Sequence, residues 1–173
     1  MQAAFQLIAN NGYEATSIAQ IAKKAGVSKG LLYNYFASKE ELLERLVMEA
    51  FIEGDELIEK LIVEDPAETL ENIFKWYFHE IRTRTEHWKL LTDLTLKIER
   101  FQFVHDLATR KMNEYVYFMQ GLLEKLGFND AQGEARMLAA LFDGIGLQFL
   151  IVRDEYPLDE MERFLINKYC NRK

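Results

Sequence analysis

The stretch Ser17 to Glu41 constrains this chain more than any other. Ser17 with Gln20 three residues on forms a capping box, and Ile18, Ile21, Ala22 and Ala25 follow as an apolar stripe at helical spacing. Gly26 is the natural stop, because a helix end commonly requires the left-handed conformation that glycine tolerates. Ser28 caps again only two residues later, so two short helices must be joined by a tight turn.

Such a pair is a helix-turn-helix, whose second helix is held at an angle and can enter a DNA major groove. That helix offers one lysine, two tyrosines and an asparagine. Leu31, Leu32 and Phe36 are expected to face the core.

The run Gly12-Tyr13, Thr16-Ser17-Ile18, Ile21-Ala22, Ala25 to Gly30, Leu32-Tyr33, Tyr35-Phe36, Ser38-Lys39-Glu40 and Leu42-Leu43 closely resembles the DNA-binding domain of the tetracycline-repressor (TetR-type) family of bacterial transcription regulators. The likeness covers about the first 45 residues. It implies an all-α fold, with a three-helix head over 1–45 and a larger helical effector-binding and dimerisation domain over 46–173. By the same resemblance, Ser17 caps the second helix beside a phosphate. Lys29, Gly30 and Asn34 stand where side chains or backbone approach base edges, Tyr33 and Tyr35 where phosphate or sugar is touched, and Lys39 at a further phosphate. The chemistry agrees, since lysine suits guanine acceptors, asparagine suits adenine, and tyrosine hydroxyls suit phosphate oxygens. Tyr33 can alternatively pack partly against the preceding helix.

Composition supports this division. Hydrophobic residues make up 49% of 173, enough for a substantial core, and 2 Pro, 9 Gly and no regular apolar–polar alternation favour helices throughout. The net charge of −7 is unevenly spread. Residues 1–39 hold Lys23, Lys24, Lys29 and Lys39 against Glu14 alone, a balance of +3, which leaves −10 for residues 40–173. A basic head on an acidic body directs phosphate contacts to the head. A lone Cys170 cannot form an internal disulfide and fits a reducing compartment. No apolar run near the roughly 18 residues of a membrane span is expected, so the chain reads as cytoplasmic.

Further helices are predicted from residue 1 to 10, from a second capping box at Ser38–Glu41 to about Leu61, and from Asp65-Pro66 to Thr83. Others follow over 86–97, 101–126, 131–153 and 158–169. The acids and lysines of Glu53–Lys60 are expected on solvated faces. The 131–153 helix is apolar around much of its circumference, and with 158–169 it is the expected homodimer interface, a four-helix bundle about a two-fold axis.

The resemblance places an apolar pocket for a small-molecule effector in the body. Trp76, Trp88, Tyr115 and Phe142 are its candidate lining, although ordinary core packing explains any one of these rings as well. His79, His87 and His105 have no metal-like spacing and are expected at the surface or an interface. No cofactor or enzyme motif is visible. The expected partners are a palindromic double-stranded operator and the effector, with a helical protein–protein adaptor as the alternative from another class.

Overall fold

The computed structural model describes residues 1–96 and 101–171. Among them run nine α-helices and no strand: α1 (Gln2–Asn11), α2 (Ile18–Ala25), α3 (Lys29–Tyr35), α4 (Lys39–Leu61), α5 (Pro66–Thr83), α6 (Thr85–Leu96), α7 (Gln102–Lys125), α8 (Ala131–Val152) and α9 (Leu158–Tyr169). The predicted end of the sixth helix at Lys97 lies outside the described residues.

The helix boundaries follow from their caps. Ser17 accepts from the Gln20 N–H, while the Ser17 N–H donates to Gln20 Oε1 at 2.7 Å, closing the predicted box. Gly26 takes the left-handed conformation (φ 70°) that ends α2. Ser28 caps α3 and Asp65 caps α5, where Pro66 supplies the first helical residue. At α4 the box is altered. Ser38 accepts from the Glu41 N–H at 3.0 Å, but the Glu41 carboxylate reaches one residue further back, to the Ala37 N–H.

The chain has two cores. The larger lies between α5, α7, α8 and α9, around Leu70, Phe74, Phe78, Leu123, Leu138 and Leu165. α7 packs along α8 and α9 against α5. The second sits under the helix-turn-helix and takes Ala4, Ile8, Ile21, Leu42, Leu43, Leu46 and Val47 from the head. It also takes Leu90 and Leu94 from α6, and Phe101, Val104 and Leu107 from the start of α7. The head is therefore built onto α6 and α7 as well as onto the long α4.

Several expectations from the sequence are corrected. Leu31 is exposed, as is Ala25, because the core beneath α2 and α3 is already filled by Ile18, Ile21 and the half-buried Leu32 and Phe36. Glu53 is exposed as expected, whereas Asp55 is half-buried, and both acids are engaged by other helices. Glu53 pairs with Arg84 through both carboxylate oxygens at 3.0 and 3.3 Å, and Asp55 accepts from Lys111 and from Tyr115 at 3.0 Å. Two acids separated by Gly54 thus bind α4 to the α5–α6 corner and to α7. Finally, residues 131–155 include an 18-residue window with mean hydropathy 1.6, apolar enough by length and composition for a membrane span. Met137, Leu147, Ile151 and Val152 of this helix are exposed within the single chain.

Candidate nucleic-acid interface and aromatic cluster

α3 buries none of its residues completely, and Leu32 together with Phe36 just past its end packs against the head core. Lys29, Gly30, Tyr33, Asn34 and Tyr35 are all exposed, and Ser17 stands exposed at the start of α2. Tyr35 is the most open of these large side chains at 71%. The Lys29 ammonium leans over the Tyr33 ring, 5.7 Å from its centroid, so the two present a cation and an aromatic hydroxyl together. A Cβ built on Gly30 would meet nothing nearer than Ser28 Oγ at 3.9 Å, which leaves the α3 backbone open to close approach.

Lys39 sits differently from the other six. Its Nζ donates to the Tyr13 carbonyl at 2.8 Å and the Thr16 carbonyl at 3.0 Å, and stands 4.1 Å from the Tyr13 ring centroid. Thr16 in turn is buried and donates to the Leu7 and Gly12 carbonyls. The loop between α1 and α2 is thereby fixed from both sides, and α3 is held by a rigid support.

In the body, Tyr77 is the centre that sequence reasoning missed. Its ring meets Trp88 (5.6 Å), Phe142 (4.5 Å) and Phe78 (5.3 Å), and Phe142 also meets Phe74 (5.7 Å). The Tyr77 hydroxyl donates to the Phe142 carbonyl. A Cβ on Gly146 would come within 3.3 Å of that hydroxyl, so the small residue there serves packing inside the chain. Burial foremost, and then the nearby Asp143 carboxylate, raise the Tyr77 pKa, which keeps it a neutral donor. Tyr77 is the position one turn beyond Ile73 and Phe74 on the buried face of α5, a spacing that marks core and conceals its role as hub.

Of the four aromatic candidates, the structure brings together Trp88 and Phe142, through Tyr77. Trp76 packs against the same core without a ring contact to them, and Tyr115 lies at the α4–α7 contact bonded to Asp55. The indole N–H groups of Trp76 and Trp88 are shielded from solvent and meet no acceptor among the described residues.

The head and this cluster adjoin. His87 stacks on Phe5 of α1 (5.7 Å, 27°) and meets Trp88 edge-on at 6.5 Å. His79 and His105 are exposed, whereas His87 is half-buried at this joint. Burial foremost, then the Arg84 guanidinium, hold the His87 pKa below the usual imidazole value, with Glu53 opposing. Phe5 and residues 83–87 line an open depression of about 270 Å³ there.

A helix-turn-helix whose second helix keeps most of its side chains exposed, carried on a helical body, is the build of a DNA-binding transcription regulator. Residues 1–46 match the bacterial regulatory proteins of the tetR family, and residues 66–168 match the C-terminal domain of the BetI-type transcriptional repressors. The chain belongs to the TetR family of bacterial transcription regulators. It is 28% identical over 170 residues to the HTH-type transcriptional regulator BetI of Pseudomonas paraeruginosa, covering 92% of this chain and 84% of that one. Several other regulators match over the head alone, and the chain spans a quarter or less of their length. Among solved structures, a transcriptional regulator from Saccharomonospora viridis in complex with choline superposes with a TM-score of 0.83 at 23% identity, covering 99% of this chain and 93% of that one. FadR from Bacillus subtilis in complex with stearoyl-CoA gives 0.77 at 22%, covering 98% and 95%. The family consists of regulators, and the chain is not an enzyme.

Proposed function

We propose that the chain is a homodimeric repressor that grips a palindromic operator with two heads and releases it when a small, largely apolar effector binds among the aromatic residues of the body. The supporting observation is that one helix serves both halves. α6 gives Leu90 and Leu94 to the head core and Trp88 to the body cluster, so a ligand that shifts Trp88 shifts the floor of the head. α4 is the second link, since it opens the head core at Leu42 and is bound to the body at Glu53 and Asp55.

Mechanistically, a ligand displaces such an equilibrium only by binding one arrangement better than the other. Here that arrangement is the one with the heads set at the wrong separation for successive major grooves, about 34 Å apart. The pairing surface is the exposed apolar side of α8 (Met137, Leu147, Ile151) with Phe164 of α9. Burying that side against its symmetry mate removes a stripe otherwise costly in water. The unpaired indole N–H groups favour an effector that carries a hydrogen-bond acceptor beside its apolar part. A protein of this kind works in the cytoplasm, where the chromosome lies.

The test is an electrophoretic shift assay on DNA upstream of the protein's own coding region, with choline and stearoyl-CoA, the compounds held by two structural neighbours, as the first trial effectors. A retarded band that one of them or a smaller apolar relative dissolves is the expected result. A band that forms only when ligand is added would contradict release by the effector.

A further inference from the structure

Leu31 stands open on the outward side of α3. Leu32 and Phe36 pack on the head core, whereas Leu31 joins neither core and is 42% exposed. Its backbone is nonetheless fixed, because its N–H donates to Ser28 Oγ at 3.1 Å in the cap of α3. With Leu32 and Phe36 turned inward, about 3.6 residues per turn carries Gly30, Leu31 and Asn34 round to the outward side.

A single exposed leucine is ordinary. Leu31 is not single. Val27, just before the cap, is 36% exposed and Tyr35, one turn on from Leu31, is 71% exposed, so three large side chains within this short stretch are open. Around them stand Lys23, Lys24 and Lys29, all exposed, and the only acid through residue 39 is Glu14. The occupant that suits cations and an apolar strip together is duplex DNA, whose major-groove edge is polar except for the C5-methyl of thymine.

We propose that Leu31 is a specificity-determining residue that reads a thymine methyl in each half-site, beside the base contacted by Asn34. The open Gly30 backbone lets α3 approach closely enough for an unextended leucine to reach. The proposal rests on the duplex-binding role of the head and not on the effector.

The experiment selects binding sites for the purified full chain from a random duplex library, then replaces each thymine of the selected site singly by uracil, which removes only the methyl. At one position per half-site the wild type should lose roughly three- to five-fold in affinity, the worth of one buried methyl group. Leu31→Ala should bind the thymine site weaker by a similar factor and no longer distinguish thymine from uracil there, while Leu31→Met keeps the distinction. Both variants should melt at the wild-type temperature, since the side chain is outside the core. Equal responses of wild type and Leu31→Ala to every uracil would overturn the proposal. So would a change of oligomeric state in Leu31→Ala, which would place a second copy on this face. Enrichment of no duplex at all would overturn the DNA-binding role together with it, whereas a selected palindrome indifferent to uracil would remove only the reading of Leu31.

Discussion

The Phe5 ring of the head lies against the His87 imidazole of the body, with centroids 5.7 Å apart and planes inclined by 27°. Through Trp88 and Tyr77 that stack continues to Phe142 on α8. The contact joins the aromatic cluster to α1 of the head without passing through the long α4. Removing it should cost little stability, about 0.5–1.5 kcal/mol for an aromatic pair, because both rings are only partly buried. Phe5→Ala is accordingly expected to fold and to bind operator within a few-fold of wild type, while the effector-induced loss of binding shrinks several-fold. Fluorescence anisotropy with a labelled operator checks both numbers.

The same contact predicts a pH dependence. His87 has a folded-state pKa below that of the free imidazole, so the native protein binds fewer protons than the unfolded chain once the pH drops below about 6.5. Stability contributed by the neutral ring is present above that value and is lost as the pH falls from there through the folded-state pKa. Arg84 reinforces the depression from the α5–α6 corner and Glu53 opposes it from α4. Urea unfolding at pH 7.5 and 5.5 should show a larger drop for wild type than for His87→Phe. Equal drops would show that His87 is not the group responsible.

Asp55 is the acceptor for two groups of α7, and Asp55→Ala leaves the Tyr115 hydroxyl without its partner and Lys111 with Glu114 alone. Lys111 is only 15% exposed, so the loss should reach about 1–3 kcal/mol, well above that of a surface pair. By contrast Arg45→Ala, which breaks the exposed pair with Glu49, should cost under about 0.5 kcal/mol. Thermal unfolding of the two variants side by side measures the difference.

Asn34→Ala and Lys39→Ala should fail in opposite ways. Asn34 is exposed and bonded to nothing described in the chain, so its loss should relax base preference and leave the melting temperature alone. Lys39 holds the carbonyls of Tyr13 and Thr16, so its loss should lower the melting temperature and weaken every duplex alike. Competition binding against single-base variants of the operator separates the two patterns.

Much of this was legible in the sequence wherever a local signal carried the information. Ser17 with Gln20, Ser28, Ser38, and Asp65 with Pro66 each mark a helix start within about a residue, because capping is chemistry between near neighbours. Facing was harder. An apolar residue such as Leu31 fits a core pattern by identity, and only the filled space under Leu32 and Phe36 turns it outward. Long-range pairings were invisible: Glu53 with Arg84 and Asp55 with Tyr115 join residues 31 and 60 positions apart, and on their own helix each acid reads as solvated. The aromatic set was half recovered for the same reason. Trp88 and Phe142 come together only because Tyr77, which reads as plain core on α5, stands between them.

Both tryptophans, Trp76 and Trp88, lie in the body, so intrinsic fluorescence reports on the body while a labelled operator reports on the head. The most direct test follows a preformed protein–operator complex by both signals as choline, stearoyl-CoA or a smaller apolar ligand is added. The account predicts that tryptophan quenching and operator release rise over the same ligand concentrations in the wild type, and that Phe5→Ala quenches with little release. Quenching without release in the wild type, or release of equal size in both proteins, would contradict it.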